Sequence, residues 1–155
     1  MAEQDAVVLL DVDGVLNPLR RGDTLALESP RADLVRDLAS FGEIVWATTW
    51  ASTFIWRLGR DLGLSSDTRS IAFPDPIDAN PELPAPTPKL YWVSRWLLRS
   101  FEADEQPPLV WIDDHLSHDV TEWASDRAAP TLLIRPDPQV GLLSKHVDQV
   151  REFLR

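Results

Sequence analysis

Near the N-terminus, an apolar run over residues 6–10 leads directly into the acidic tetrapeptide Asp11-Val12-Asp13-Gly14. A short apolar run that stops at a turn signal is typical of a buried parallel strand. Open parallel sheets bind ligands in the crevice at the carboxyl ends of their strands. Because folding alone gains little from two carboxylates there, we interpret Asp11 and Asp13 as residues that hold a cation or perform chemistry.

Further apolar runs alternate with segments of helical spacing along the rest of the chain. Strands are predicted over residues 6–11, 43–48, 70–73, 109–112 and 131–135. Helices are predicted over about 29–41, 51–62, 87–101, 117–127 and 143–153. This alternation indicates a three-layer α/β fold with a mostly parallel five-stranded sheet and right-handed crossovers.

The length of 155 residues fits one domain, which we expect to span residues 1–155. Residues 15–28 contain turn signals and are predicted to form a flap, as a loop or short hairpin. The proline-rich segment 74–88 is expected to be a stiff, extended surface connection rather than a linker between domains. Only residues 15–28 and 64–88 could supply a cap over the site, and both segments are short.

The chain has no cysteine and a formal net charge of -10. The absence of cysteine excludes disulfides and thiol chemistry, and it fits a reducing compartment. Acidic residues near the start and a short apolar run argue against a signal peptide, so we expect a soluble, cytoplasmic protein without membrane contact. Net negative charge repels nucleic acid at long range. The basic pairs Arg20-Arg21 and Arg57/Arg60 are expected to be solvated surface, with contact to a phosphate as the alternative.

Polar residues follow three of the predicted strands at the point where each strand ends. Because parallel strands end at one edge of a sheet, we expect these residues to converge there. A lysine in the first turn of the helix before the fourth strand can reach the same edge. The candidate site residues are Asp11, Asp13, Thr48 or Thr49, Lys89, Asp113 and Asp114.

This set has a chemical logic centred on a phosphoryl group. The carboxylates of Asp11, Asp113 and Asp114 offer oxygen ligands to a hard cation such as Mg²⁺, which in turn attracts phosphate. Thr48 can donate a hydrogen bond to a phosphoryl oxygen, and Lys89 can pair with carboxylate and phosphate. Uncompensated carboxylates at this spacing would repel each other and raise their pKa values.

The two acids after the first strand suit two different roles. Asp11 can act as a nucleophile that forms an aspartyl-phosphate intermediate. Asp13 can protonate the leaving oxygen and later deprotonate the attacking water. We therefore predict a magnesium-dependent phosphomonoester hydrolase.

The run Asp11-Val12-Asp13-Gly14-Val15-Leu16-Asn17 resembles the first motif of the haloacid dehalogenase (HAD) superfamily of phosphohydrolases. Thr48 after its strand, Lys89, and Asp113-Asp114 after theirs resemble the second, third and fourth motifs, in order, across roughly residues 6–135. The segment Trp46-Ala47-Thr48-Thr49-Trp50 is similar to small bacterial HAD-like domains, some of them associated with RNA repair.

The resemblance implies a Rossmann-like core with strand order 5-4-1-2-3 and a minimal cap. It implies that Mg²⁺ is held by Asp11, the Asp13 carbonyl and the fourth-motif acids, and it leaves open whether Asp113 or Asp114 binds directly. Thr49 departs from the small residue that often follows the second-motif threonine, so either threonine can be the phosphate ligand. An open site suits bulky substrates such as a phosphorylated protein or a nucleic-acid end.

Several alternatives accompany this interpretation. Two other functions are considered: a HAD-like binding or regulatory module without turnover, and a nucleic-acid end-processing phosphatase. The phosphorylated substrate itself is unresolved between small molecule, protein and nucleic acid.

Other residues near the motifs have simpler expected roles. A calcium loop is excluded because Gly14 comes too early in it. His115 and His118 are expected to lie at the surface or cap a helix, and Asp119 to support the site from behind. Core packing is the expected role of the seven tryptophans, with Trp50 also placed to flank the site.

Overall fold

In a computed structural model, residues 5–18, 29–77 and 86–155 are described, and these form a five-stranded parallel sheet with helices on both faces. The strands are β1 (Ala6–Leu10), β2 (Gly42–Trp46), β3 (Arg69–Ser70), β4 (Leu109–Ile112) and β5 (Thr131–Ile134). The helices are α1 (Ser29–Phe41), α2 (Ser52–Asp61), α3 (Lys89–Ser100), α4 (His118–Asp126) and α5 (Ser144–Phe153).

The strand order is β3-β2-β1-β4-β5, which confirms the predicted order and places β1 at the centre. In β1, Leu10 aligns with Trp46 of β2 on one side and with Ile112 of β4 on the other. All the pairings between these strands are parallel. The ends of β1, β2 and β4 therefore lie side by side at one edge of the sheet. From β1 the chain adds strands β2 and β3 on one side and then β4 and β5 on the other, so this edge contains the point where the strand order reverses.

Two apolar layers cover the sheet because alternate strand residues point to opposite faces. Val8 and Leu10 of β1 pack with α1, α2 and α5, whereas Val7 and Leu9 pack with α3 and α4. All five residues of β1 are buried, as expected for a strand covered on both faces. This double coverage leaves the strand ends as the place where polar groups can reach solvent.

Small differences from the predicted elements lie at their boundaries. The predicted second strand continued to Thr48, but β2 begins at Gly42 and ends at Trp46, and β3 is Arg69–Ser70 rather than 70–73. Ala47 still donates its N–H to the Leu10 carbonyl at 2.9 Å, and residues 48–51 then turn into α2. Among the described helices, none is both long and apolar enough to cross a membrane.

Parts of two predicted segments lie outside the described residues. They are residues 19–28 of the flap, which include Arg20 and Arg21, and residues 78–85 of the proline-rich connection. The described start of the flap is a tight turn in which three successive N–H groups, of residues 15–17, donate to the Val12 carbonyl.

Candidate active site

The predicted residues converge at the carboxyl edge of the sheet. Asp11 follows β1, Asp113 and Asp114 follow β4, and Lys89 is the first residue of α3. Carboxylate oxygens of the three aspartates lie within 4.8 Å of one another. Residues separated by about a hundred positions in sequence therefore form one acidic cluster, as the strand-end argument predicted.

The ammonium group of Lys89 lies inside this cluster. Its Nζ is 3.1 Å from Asp11 Oδ1 and 2.7 Å from Asp113 Oδ2, and it donates to the Ala47 carbonyl at 2.9 Å. A lysine has three N–H donors, so these contacts use all of them. These hydrogen bonds fix the protein groups around Lys89, and its charge offsets part of the charge of the two carboxylates.

The pKa values of the cluster reflect burial and crowding. Burial raises the pKa of Asp11 to about 7, with a further increase from Asp113, against the lowering effect of Lys89. Burial and Asp113 also raise the pKa of Asp114. Burial opposes the charge of Lys89, but the Asp11 and Asp113 carboxylates outweigh it and raise the pKa of the amine.

The charge balance and the donor set fit a divalent hard cation. Three carboxylates face one ammonium group, so the negative charge of the ionised cluster exceeds the positive charge beside it. Hard divalent cations prefer carboxylate oxygens. Asp113 already accepts hydrogen bonds from Lys89 and from the His115 N–H, at 2.7 and 2.9 Å, and its side chain is fully buried.

Gly14 allows the loop after β1 to approach Asp114 closely. Its φ of +76° lies in the left-handed region that favours glycine. A Cβ at this position would lie 2.5 Å from Asp114 Cγ. The glycine is therefore required by both the backbone conformation and the packing of the acidic cluster.

The two threonines after β2 occupy different environments. Thr48 is buried, and its Oγ1 accepts the Trp50 N–H at 3.2 Å, so its own proton remains available for another acceptor. Thr49 is exposed and lines the cavity that contains the acidic cluster. Both threonines stay candidates for the phosphate ligand.

Asp13 is exposed and makes its own set of contacts. Its Oδ2 accepts a hydrogen bond from the indole Nε1 of Trp50 at 2.9 Å, and its Oδ1 accepts one from Asn17 Nδ2 at 3.4 Å. The expectation that Trp50 is mainly a core residue is therefore incomplete. Trp50 packs one side against the core and uses its polar edge to hold Asp13.

Asp119 supports the site through Thr87, two residues before Lys89. Its carboxylate accepts the Thr87 N–H at 3.0 Å and the Thr87 hydroxyl at 2.7 Å. The same hydroxyl accepts the Ser117 N–H at 2.9 Å, and Thr87 is buried. This network ties the start of α3, and so Lys89, to Ser117 and to the first turn of α4.

A cavity of about 230 Å³ opens at this edge of the sheet. Its lining consists of Asp11, Thr49, Ile77, Thr87, Pro88, Lys89, Asp113, Asp114 and His115. The sequence did not single out Ile77, or Phe73, whose ring centroid lies 5.9 Å from Lys89 Nζ. In the sequence these two residues are distinguished only as the apolar residues that flank Pro74 and Pro76, the first prolines after β3.

Neither His115 nor His118 belongs to the group of side chains with metal-binding spacing, although His115 lines the same cavity. The Nε2 of His115 lies 2.9 Å from the Pro86 carbonyl, which ties the segment before α3 to the end of β4. His118 begins α4 and is exposed. Among the described residues, the only group of three or more acids and histidines with metal-binding spacing is the aspartate cluster.

Comparison with known proteins identifies the family. Residues 7–147 match the family described as "HAD domain in Swiss Army Knife RNA repair proteins". No curated protein and no solved structure matches the chain. Since the match covers most of the chain and contains the acidic cluster and its lysine, this protein belongs to that HAD family.

Proposed function

We propose that the protein is a Mg²⁺-dependent phosphomonoester hydrolase that acts through an aspartyl-phosphate intermediate and removes a terminal phosphate from RNA. The observation that carries this proposal is the position of Asp11, directly after the central strand, paired with Lys89 at 3.1 Å and beside two further carboxylates. Membership of a HAD family named for RNA repair proteins supports the substrate class.

In the first step, the Asp11 carboxylate attacks the phosphorus atom and the bond to the leaving oxygen breaks. Asp13 transfers a proton to that oxygen, so that an alcohol leaves rather than an alkoxide. Lys89 holds Asp11 in position and offsets the negative charge that accumulates around it.

In the second step, water attacks the phosphorus atom of the aspartyl-phosphate. Asp13, now deprotonated, accepts a proton from this water. The bond between phosphorus and the Asp11 oxygen breaks, which releases inorganic phosphate and restores the carboxylate.

The residues that would hold Mg²⁺ are Asp11, Asp113 or Asp114, and the backbone carbonyl of Asp13. When bound, the ion neutralises charge on the phosphoryl oxygens and lowers the repulsion between phosphate and the aspartates. The three carboxylates, whose oxygens lie within 4.8 Å of one another, and the turn at Gly14 that lets the chain approach Asp114 are the protein's own contribution.

A substrate panel tests the proposed function. Purified protein should release phosphate from 3′- or 5′-phosphorylated oligoribonucleotides faster than from phosphopeptides or sugar phosphates, and chelation of divalent ions should stop turnover. Phosphate release is measured with and without Mg²⁺. Failure to hydrolyse any phosphate ester in the panel would contradict the proposal. In that case the regulatory-module alternative would be favoured.

Replacing Trp50 with phenylalanine should impair proton transfer while leaving phosphorus attack intact. The variant keeps an aromatic ring but loses the N–H that holds Asp13 Oδ2 at 2.9 Å. General acid catalysis contributes roughly 10²–10⁴-fold, and we expect poor positioning to lower kcat/KM for an alkyl phosphate about 10-fold. With p-nitrophenyl phosphate, whose leaving group departs without protonation, kcat/KM should change little. The comparison uses kcat/KM because it reports formation of the aspartyl-phosphate, whereas kcat also includes the later water step in which Asp13 is the base.

The exposed Trp56 provides a matched control for this substitution. Trp56→Phe should leave kcat/KM for both small substrates unchanged. Equal losses of kcat/KM for the two substrates in Trp50→Phe would show that Trp50 acts on phosphate binding or packing instead of on Asp13.

A further inference from the structure

A second, larger cavity lies along α2, on the side that faces β3. It measures about 780 Å³, and its floor includes the buried indole of Trp46. Its walls come from α2, from the segment between α2 and β3, and from Ser70 of β3. The lining includes Ser52, Thr53, Trp56, Arg57, Arg60, Ser65, Ser66 and Thr68. We refer to this cavity as the α2 groove.

The groove has an exposed aromatic ring with a cation beside it. Trp56 is 58% exposed, contrary to the expectation of core packing, and the Arg60 guanidinium lies over its ring at 5.2 Å. More than half of this side chain faces solvent rather than the core. A planar base can stack on the indole with sequence-tolerant affinity, either on the face away from Arg60 or in place of it.

The charge of the groove is opposite to that of the chain. Arg57 and Arg60 both line it, although the chain as a whole has a net charge of -10. Asp61 is 4.0 Å from Arg60, and both side chains are more than 60% exposed, so this pair is weak. No ion pair among the described residues includes Arg57. Arginines with several serine and threonine hydroxyls are the donors that contact nucleic-acid phosphates and sugars.

The groove begins next to the candidate active site. Thr49 lines the catalytic cavity and Ser52 lines the groove, three residues further along the chain. Three residues span at most about 11 Å. A strand whose terminal phosphate lies at Asp11 can therefore continue into the groove within a few nucleotides.

We propose that the α2 groove binds the nucleotides adjacent to the phosphate-bearing end of a single-stranded RNA, with one base on Trp56 and the backbone on Arg57 and Arg60. This inference rests on the proposed function for the identity of the substrate. According to this inference, residues of the α2 groove, which lie outside the acidic cluster, select a polymeric substrate over a small one.

Binding and turnover are measured separately to test the groove. The binding probe is an unphosphorylated oligoadenylate of about eight nucleotides with a fluorescein label, followed by anisotropy. Trp56→Ala should weaken binding about 10-fold, and Trp56→Phe should restore most of it. Arg57→Ala/Arg60→Ala should weaken binding and reduce the salt dependence by about two released counterions.

Two control variants match these changes in size and charge. Phe54→Ala removes an aromatic ring that is 56% exposed on the same helix but does not line the groove. Arg95→Ala/Arg99→Ala removes the same charge from α3, on the opposite face of the sheet. Both controls should bind the oligoadenylate like the unmodified protein.

The two proposals fail in different ways. If the unmodified protein does not bind the oligoadenylate, or if groove and control variants bind it equally, the groove proposal is overturned whatever the activity. Hydrolysis of phosphorylated oligonucleotides with KM unchanged in the groove variants also overturns it. Groove-dependent binding without hydrolysis of any phosphate ester supports the groove proposal and contradicts the proposed function alone. A groove-dependent KM for phosphopeptides, with no oligonucleotide binding, assigns the surface to proteins and overturns the proposal.

Discussion

Replacing Asp11 with asparagine is expected to reduce kcat for every phosphate ester by about 10³-fold or more, because the variant loses the attacking oxygen anion. Asparagine has nearly the same shape, so the backbone after β1 should not change. It also removes one of three crowded carboxylates, which makes large destabilisation unexpected. Phosphate release and thermal unfolding should be measured on the same preparation.

The neighbouring acid provides the control for this experiment. Asp114→Asn removes the same charge from the same cluster without removing the nucleophile. We expect its activity to recover as the Mg²⁺ concentration rises, whereas Asp11→Asn should stay inactive at any concentration. Near-normal turnover by Asp11→Asn would exclude an aspartyl-phosphate at this residue.

Replacing Lys89 with methionine should have the largest combined effect on stability and activity. The substitution leaves the buried carboxylates of Asp11 and Asp113 without their shared cation and the Ala47 carbonyl without its donor. Breaking a buried ion pair from one side costs about 3 kcal/mol or more, which corresponds to roughly 10 °C in Tm for a chain of this size. Activity should fall by about 10²-fold or more because Asp11 loses its orientation.

The only other lysine in the sequence gives a matched control. Lys145 is exposed on α5, so Lys145→Met should change neither Tm nor kcat. Mg²⁺ should restore part of the lost Tm in Lys89→Met, since a ligand that binds only the folded state stabilises it. An unchanged Tm in the absence of divalent ions would mean that the lysine does not compensate the buried acids.

Much of the fold was predictable because it depends on local patterns. The apolar runs that became β1 and β4 are bounded by acidic residues and prolines, which define the ends of a strand without reference to other segments. The short β3 was the hardest to place, since both its residues are exposed and carry no apolar signal. Strand order followed from the resemblance to the HAD family, and the sheet confirms it.

The members of the acidic cluster were predictable for a similar reason. A carboxylate that directly follows a buried parallel strand lies at the carboxyl edge of the sheet, so its position follows from the strand alone. The contacts of each member were not predictable in this way. Thr87 and Phe73, for example, have ordinary sequence surroundings and gain their roles only from Asp119 and Lys89.

The sequence alone therefore determined the α/β architecture and the residues that could carry phosphoryl chemistry, because apolar periodicity and strand-end polar residues are properties of neighbouring positions. The tertiary structure decided which groups pair. Lys89 meets Asp113 across 24 positions, and Trp50 meets Asp13 across 37. It also exposed Trp56 and placed Arg57 and Arg60 along one groove. These outcomes depend on the directions of side chains from separate elements, and those directions are fixed only when the elements pack together.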